Sequence, residues 1–359
     1  MNNVQNQTQS QRLFRLFDAL ITDGASDLHL TVGVKPIIRV DGELTPVLKE
    51  ETLTNEDVSE FLKIMVGPEK WNRFVESKEL DFSYAYKNGD RFRGNAFVQK
   101  GTISIALRII PKGIKTIQEL ELPDVLEEFA RKEQGFFLVV GPVGQGKTTT
   151  LAALVELINQ ERATHIVTIE DPIEYIFEPK QSLIAQREVK TDTKDFETAL
   201  KSVFREDIDV LLIGEMRGKE TMRAAVSAAE TGHLVFSTLH TNDAAQTVNR
   251  IIDSFPAEQQ DQIRLQLASA LNGIFSQRLV PRIGGGLVPV YELLIANKAV
   301  ANLIREKRTY EINTVIETGM KEGMIDMNRV LAELVSQGEI SVENAYRFAT
   351  NPKALERML

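Results

Sequence analysis

The chain has 359 residues, with 42 Lys and Arg against 51 Asp and Glu, so its formal net charge is −9. It has no cysteine, which excludes disulfides, thiolate metal sites and a cysteine nucleophile. The acidic balance argues against nonspecific nucleic-acid binding, and the apolar runs are far shorter than the ~18 residues needed to span a bilayer. The polar N-terminus predicts no signal peptide, and at ~150 residues per domain the length predicts two or three domains.

Residues 1–110 are predicted to form a small α+β domain with an antiparallel sheet. Apolar residues at helical spacing between positions 13 and 21 predict a first helix, and a second helix is expected to stop at Gly67-Pro68. Short runs between turn signals predict strands at 27–31, 37–40, 81–86, 91–98 and 102–109. Residues 111–115 are predicted to be a linker.

Residues 116–359 show a different pattern, in which short and fully apolar strands alternate with helices. Strands are predicted at 136–140, 166–169, 210–213 and 234–239, with helices at 147–158, 196–204 and 220–230. Continuous apolar strands are typical of a parallel sheet that is covered on both faces. We therefore predict an α/β nucleotide-binding architecture, followed after residue 256 by a mostly helical part with a hairpin at the glycines 284–286.

Residues 141–148 read Gly-Pro-Val-Gly-Gln-Gly-Lys-Thr and fit the pattern G-x-x-x-x-G-K-[ST] of a phosphate-binding loop. The motif follows an apolar strand and opens a helix, so backbone N–H groups and the helix N-terminus can hold phosphate oxygens. Lys147 is expected to reach the β- and γ-phosphates, and the Thr148 hydroxyl to bind Mg²⁺. The motif predicts binding of ATP or GTP with Mg²⁺ by the following residues: Gly141, Gly144, Gln145, Gly146, Lys147, Thr148 and Thr149.

Two predicted strands end in acidic residues. Glu170 follows the strand at 166–169, and Gly214-Glu215 follows the strand at 210–213. Ligands of such folds bind at the carboxyl ends of the strands, so both acids should face the nucleotide. An ordinary Walker B strand carries Asp where Gly214 stands, which leaves Glu170 and Glu215 to hold Mg²⁺ through water and to activate the attacking water. The residues leave this division open, and we assign the attacking water to Glu215.

Two histidines flank the predicted strand at 234–239. His240 follows its carboxyl end, where an imidazole can hydrogen-bond a γ-phosphate and respond to its loss, and His233 precedes the strand. A histidine in either place can equally cap a turn.

Three arginines lie on predicted strands of the first domain. Strand alternation places Arg91 and Arg93 on one face and Phe92 on the other, and Arg108 lies on the last strand. Such arginines are most often solvated. Ring ATPases, however, use an arginine from a neighbouring subunit to stabilise the transition state, and this requirement makes the three arginines candidates.

Seven blocks of the sequence together resemble the secretion ATPases of the type II secretion and type IV pilus superfamily, and within it the twitching-motility retraction ATPases. The blocks begin with Ala-Ser-Asp-Leu-His-Leu at 25–30 and are otherwise at 36–42, 91–97, 141–148, 168–175, 214–217 and 230–242. The resemblance implies a PAS-like first domain and a RecA-like second domain. It also implies a homo-hexamer that hydrolyses ATP and drives pilus retraction through an inner-membrane platform protein. The chain is then expected to be cytoplasmic and peripheral at the cytoplasmic face of the inner membrane, with no nucleic-acid partner.

The resemblance also implies roles for particular residues. The acidic box of the family maps onto 170–174, its atypical Walker B motif onto Gly214-Glu215, and its histidine box onto His233 and His240. The arginines that contact a neighbour's nucleotide map onto Arg91, Arg93 and Arg108. The chain has neither the length for an additional N-terminal domain nor the cysteines of a tetracysteine zinc site, which are typical of the extension and secretion ATPases.

Three positions depart from the family pattern. Gln145 stands where Ser is more usual in the phosphate-binding loop, and Gly218 where Asp is usual after Glu-Met-Arg. The segment 299–306 resembles the retraction signature, but Ala301 replaces its first Arg. Two alternative functions remain open: a nucleic-acid translocase or related secretion or DNA-uptake ATPase on the same core, and a ring that binds nucleotide without turnover.

Overall fold

The chain divides into two compact units, Met1–Lys112 and Gly113–Leu359. The computed structural model describes residues 2–40, 42–110 and 113–359, and for residues 2–8 and 88 it describes the backbone alone. Pro111 and Lys112, which belong to the predicted linker, lie outside the described residues.

The first unit is an antiparallel sheet of six strands in the order β3-β2-β1-β6-β5-β4, with two helices on one face. Its elements are α1 (Asn2–Thr22), β1 (Asp27–Thr31), β2 (Ile37–Val40), β3 (Glu43–Pro46), α2 (Asn55–Ser77), β4 (Glu79–Ala85), a 3₁₀ helix (Lys87–Gly89), β5 (Arg91–Gln99) and β6 (Thr102–Ile110). Apolar side chains of both helices pack on the sheet, and Phe17 of α1 stacks on Phe92 of β5 with ring centroids 4.5 Å apart.

Helix α2 corrects one expectation. Its helical conformation is interrupted at Gly67 (φ 72°, ψ 177°), but a second helical segment follows and ends only at Ser77. Pro68 opens this second segment, a place where proline is well tolerated because its missing N–H would have no intrahelical partner. Phe74 then anchors the segment in the core of the unit.

The second unit is built on a seven-stranded sheet in the order β13-β12-β7-β11-β10-β8-β9. All neighbouring pairs are parallel except β12 and β13, which form an antiparallel hairpin. Its strands are β7 (Gly135–Val140), β8 (His165–Glu170), β9 (Leu183–Glu188), β10 (Val210–Ile213), β11 (Leu234–Leu239), β12 (Leu271–Pro281) and β13 (Leu287–Ile295).

Helices cover both faces of this sheet. They are α3 (Leu126–Ala130), α4 (Lys147–Glu161), α5 (Phe196–Val203), α6 (Lys219–Glu230), α7 (Ala244–Asp253), α8 (Ala257–Ala270), α9 (Lys298–Arg305), α10 (Ile312–Thr318), α11 (Met327–Ser336), α12 (Val342–Phe348) and α13 (Pro352–Glu356), with 3₁₀ helices at Thr309–Glu311 and Gly319–Glu322. Strand β7 shows the double burial clearly: Phe136 and Leu138 pack into one core, whereas Phe137 and Val139 pack into the other. Across the described ranges, none of the helices combines the length and the apolar character needed to cross a bilayer.

Candidate functional site

The glycine-rich loop connects β7 to α4, at the carboxyl edge of the parallel strands. Gly141 and Gly146 both have positive φ, and both lie against β12. A Cβ atom on Gly141 would come within 2.4 Å of the Gln277 carbonyl oxygen, and one on Gly146 within 2.9 Å of the Gln277 side-chain nitrogen. Only glycine therefore allows the loop to curl this tightly against the neighbouring strand.

Lys147 is the first residue of α4, and only 7% of its surface is exposed. Its Nζ donates hydrogen bonds to the carbonyl oxygens of Gly141 (2.8 Å) and Pro142 (2.7 Å). Burial and, to a lesser extent, the charge of Arg278 lower the pKa of the ammonium to about 8, against the opposing effect of Glu215 and Glu174. The only lysine of the loop is thus a desolvated donor, which makes it a strong partner for a phosphate.

A line of contacts runs from Lys147 to the end of β10. The Lys147 ammonium lies 3.3 Å from His240 Nδ1, and His240 Nε2 lies 3.4 Å from a carboxylate oxygen of Glu215. Arg217 contacts the other oxygen of Glu215 at 2.5 Å. Because the lysine is a donor only, Nδ1 accepts and Nε2 carries the proton that points at Glu215. Residues from three segments are therefore joined in one polar chain.

Glu170 ends β8 beside Gly214 and is only 4% exposed. Burial raises the pKa of its carboxyl group to about 7, although Thr168 Oγ1 donates a 2.6 Å hydrogen bond to it and Gln186 adds a longer one. A Cβ atom on Gly214 would lie 3.4 Å from the Glu170 Cα. Gly214, which stands where an ordinary Walker B motif has Asp, is therefore the residue against which the buried Glu170 packs.

Other predicted residues of the loop contact neighbouring elements. The Thr149 hydroxyl lies 2.9 Å from the Tyr175 hydroxyl. Thr148 is the second residue of α4, and Gly144 has positive φ. Gln145 points its side chain at β12, where its Oε1 accepts a 2.7 Å hydrogen bond from the Leu279 backbone. A serine, which is more usual at position 145, has too short a side chain for this contact.

His233 does not lie with the other predicted catalytic residues of its unit. It precedes β11, and its carbonyl oxygen accepts from Gly135, the first residue of β7. Its Nδ1 lies 3.0 Å from the Ala228 carbonyl oxygen. The glycine-rich loop follows β7 and His240 follows β11, so both lie at the carboxyl ends of these strands. His233 lies at the other end of β11, the full length of a six-residue strand away. Within one chain, the position of His233 is that of a histidine that fixes the turn after α6.

The three predicted arginines lie on one face of the first unit's sheet. Arg93 and Arg108 are directly opposite each other on β5 and β6, and Arg91 shares their face, whereas Phe92 is buried on the face covered by helices. Arg108 donates a 2.8 Å hydrogen bond to Asp27. Both Arg93 and Arg108 are exposed. The sheet therefore presents guanidinium groups on the side that its own helices leave uncovered.

Three polar residues of the β12–β13 hairpin belong to the site and are not identified by the sequence patterns. They are Gln277, Arg278 and Glu292; Gln277 and Glu292 are buried, and Arg278 is half-buried. The sequence does contain one signal: each is a polar residue with apolar residues nearby on its strand, and a buried polar group needs a partner. Their partners lie many positions away along the chain, so spacing could not identify them.

The parallel sheet, the glycine-rich loop between β7 and α4 and the acids at the ends of β8 and β10 are the arrangement of a P-loop nucleotide-binding protein. The profile of the family described as "Type II/IV secretion system protein" matches residues 5–286. The chain belongs to this family.

Several relatives and solved structures match nearly the whole chain, among them the following three. The type IV pilus retraction ATPase PilT of Pseudomonas aeruginosa is 43% identical over 330 residues, which is 92% of this chain and 96% of the relative. The type IV pilus ATPase PilU of the same organism is 38% identical over 350 residues, 97% of this chain and 91% of the relative. The crystal structure of the pilus retraction motor PilT with bound ADP has a TM-score of 0.89 at 44% identity, and the match covers 95% of this chain and 98% of that one. The predicted resemblance and the α/β secretion-ATPase fold are thereby confirmed.

Proposed function

We propose that this chain is an ATPase that hydrolyses ATP to drive the retraction of a type IV pilus. The observation that carries the proposal is the line of contacts from Lys147 through His240 to Glu215, because it joins the phosphate-binding lysine to a carboxylate at the carboxyl edge of the sheet. The similarity to PilT along nearly the whole chain supports the assignment to pilus retraction, and the ADP bound to the PilT motor supports a nucleotide.

The proposed chemistry assigns a task to each residue of this line. Lys147 neutralises charge on the β- and γ-phosphates, and the backbone N–H groups around Gly144 and Gly146 hold their oxygens. Glu215 orients the attacking water and takes up its proton. His240 lies between the two, so that a change at the γ-phosphate alters its contact with Glu215. Glu170, with its raised pKa, provides a second carboxyl group beside Gly214.

The site also fits Mg²⁺. Its candidate ligands are all oxygens, namely the Thr148 hydroxyl and the carboxylates of Glu170 and Glu215, and oxygen ligands are what Mg²⁺ prefers. Within the described part of the chain, no group of three or more His, Asp or Glu side chains is arranged to hold a metal. We propose that the cation binds together with the nucleotide, largely through phosphate oxygens and water. When bound, Mg²⁺ supplies charge stabilisation at the phosphates.

We further propose the architecture and the partners that the family resemblance implies. Residues 1–110 are a PAS-like domain, 111–115 a linker and 116–359 a RecA-like ATPase domain with a helical C-terminal part. Six copies form a ring at the cytoplasmic face of the inner membrane, peripheral to the bilayer, where the ring acts on the pilus platform protein. Arg91, Arg93 and Arg108 serve the nucleotide of a neighbouring subunit, and no nucleic acid is involved.

The test compares the purified wild-type chain with Lys147→Ala by phosphate release in the presence of ATP and Mg²⁺. We expect steady turnover for the wild type and none for Lys147→Ala, with weaker nucleotide binding, because the γ-phosphate charge then has no cation. Lys201→Ala is the matched control, since Lys201 is exposed and pairs with Glu197 on its own helix. Turnover of Lys147→Ala within about twofold of the wild type would contradict the phosphate-binding role.

Pilus retraction is tested separately, in pilated cells whose only copy of this gene is the wild type or Lys147→Ala. Retraction in the first strain and its loss in the second are expected. Hydrolysis without retraction would overturn the assignment to the pilus and leave the ATPase standing. Single-stranded DNA is expected to leave the rate of hydrolysis unchanged, and strong stimulation by DNA would favour the translocase instead.

A further inference from the structure

The β12–β13 hairpin is hydrogen-bonded to the glycine-rich loop and to the helix that follows it. Gln145 Oε1 accepts from the Leu279 backbone at 2.7 Å. Thr150 of α4 donates its hydroxyl to Gln277 Oε1 at 2.6 Å, in a buried position. Strand β12 is also the parallel neighbour of β7, which leads into the loop. The hairpin and the glycine-rich loop are therefore held as one body.

The same hairpin is hydrogen-bonded to the segment that follows β11, residues 240–244. Arg278 Nη2 donates to the Asn242 carbonyl oxygen at 2.9 Å and to its side-chain oxygen at 3.1 Å. Glu292 Oε1 accepts from the Ala244 backbone at 2.9 Å, at the first residue of α7. This segment begins with His240. It is therefore held from the hairpin at two points, within four residues of the histidine.

The contact between Glu292 and Ala244 is buried, whereas the two bonds from Arg278 to Asn242 lie at the surface. Glu292 is 4% exposed and also accepts from Ser276 at 3.3 Å, so the carboxyl group faces protein rather than water. Arg278 Nη1 donates a 2.9 Å hydrogen bond to the Gln277 carbonyl oxygen, and this bond fixes the plane of the guanidinium group. Removing one partner of the buried Glu292–Ala244 hydrogen bond leaves the other unsatisfied, at a larger cost than the bond itself contributes.

We propose that Arg278 is a positioning residue, which keeps His240 in place between Lys147 and Glu215 by holding the segment after β11 to the hairpin that also holds the glycine-rich loop. Glu292 fixes the far end of the same segment. This inference rests on the proposed ATPase function. His240 itself is half exposed and is not packed into a core, so its contact distances of 3.3 Å and 3.4 Å depend on the backbone that carries it.

The test is a double-mutant cycle of Arg278→Ala and His240→Ala, measured as single-turnover phosphate release with enzyme in excess so that slow variants remain measurable. Arg278→Ala alone is expected to lower the rate of the chemical step about tenfold, with the enzyme concentration at half-saturation changed less than about twofold. In the His240→Ala background, the same substitution is expected to change the rate less than about twofold, because the group that it positions is gone.

Arg282→Ala is the matched control. Arg282 is on the turn of the same hairpin. It forms ion pairs with Glu121 and Glu339, which belong neither to the glycine-rich loop nor to the segment 240–244. It is expected to leave the rate unchanged, whatever it does to the melting temperature.

A second pair of variants keeps the test valid if Arg278→Ala does not fold. Glu292→Gln retains an acceptor for the Ala244 backbone and is expected to keep nearly the wild-type rate, whereas Glu292→Ala loses the acceptor and is expected to be slow. The inference is overturned if the losses of Arg278→Ala and His240→Ala add independently or if His240→Ala is as fast as the wild type. A loss confined to nucleotide affinity, or equal rates for the two Glu292 variants, overturns it too. A wild-type chain without ATPase activity contradicts the proposed function instead.

Discussion

Two glutamates at the carboxyl edge of one sheet have different surroundings. Glu215 is partly exposed and contacts His240 and Arg217, and its charge acts on Lys147. Glu170 is buried among Thr168 and Gln186, and burial raises its pKa to about 7. Because Glu215 contacts His240, which in turn contacts Lys147, we propose that Glu215 orients the attacking water. We propose that Glu170, which ends the neighbouring strand, contributes to holding Mg²⁺.

Glu215→Gln is expected to bind ATP with Mg²⁺ but to hydrolyse it at least ~100-fold more slowly, which is the scale of lost general-base assistance. The amide keeps the shape and the hydrogen bond from His240 but cannot take up a proton. The measurement is nucleotide binding together with single-turnover hydrolysis. Glu170→Gln is the comparison, and the two roles are reversed if it alone retains binding and loses hydrolysis.

Secondary-structure elements differ in how far the sequence predicts them. The strands β10 and β11 begin and end where the pattern predicts, because β10 is wholly apolar, β11 is apolar except for Ser237 and Thr238, and turn residues follow. Strand β9 is absent from the prediction: it lies at the edge of the sheet and its half-buried residues include Gln186 and Arg187, so it shows no apolar run. The hairpin at 284–286 is predicted, but its strands extend over Leu271–Pro281 and Leu287–Ile295.

The residues of the candidate site also differ in how far the sequence predicts them. Motifs locate the lysine, both glutamates and His240, because phosphate chemistry requires those residue types at fixed places in the pattern. The contributions of Arg278 and Glu292 could not be predicted, since their partners, Asn242 and Ala244, lie 36 and 48 positions away. Contacts of this kind follow from the order of strands in the sheet, which local periodicity does not determine.

Helix α9 carries the segment that resembles the retraction signature. Asn297 caps its N-terminus, Val300, Leu303 and Ile304 are buried, and Arg305 is exposed. The helix therefore has an apolar side and a polar side. The helix packs into the core beside α8 through its apolar side, and its polar side remains available for a partner.

Arg305→Ala is expected to leave ATP hydrolysis and ring assembly nearly unchanged but to impair pilus retraction, because Arg305 is outside the nucleotide site and bonds only to Asn302 among the described side chains. Phosphate release and retraction are measured in parallel for the same variant. Restoring the usual Arg at Ala301 should not lower hydrolysis. A proportional loss of both activities in Arg305→Ala would place the segment in the motor's core.

At the scale of the whole molecule, the two units carry complementary groups. The second unit holds the phosphate-binding lysine and the glutamates. The first presents Arg91, Arg93 and Arg108 on the uncovered face of its sheet, where Asp27 orients Arg108. Transition-state charge at a transferred phosphoryl group is commonly neutralised by an arginine from another subunit. In the proposed ring, these arginines are expected to act on the nucleotide of a neighbouring subunit.

Mixing two inactive variants is expected to restore activity. One lacks the three arginines by substitution with Ala, and the other is Lys147→Ala. In a mixed ring, the intact lysine of the first subunit meets the arginines of the second. Phosphate release is measured across mixing ratios, with each variant alone as the control. A rate that stays at the sum of the two separate variants at every ratio would show that the arginines act within their own subunit or only hold the fold.

Lys147 donates hydrogen bonds to two carbonyl oxygens of its own loop, and a ligand must compete with them for the ammonium group. A phosphate that recruits the ammonium must replace the bonds to Gly141 and Pro142, and hydrogen bonds of charged groups contribute about 1.5–3 kcal/mol each. A nucleoside offers the lysine no anionic oxygen, whereas a polyphosphate supplies several acceptors with high charge density. We therefore expect the loop's own backbone to favour ligands with a phosphate chain over a nucleoside.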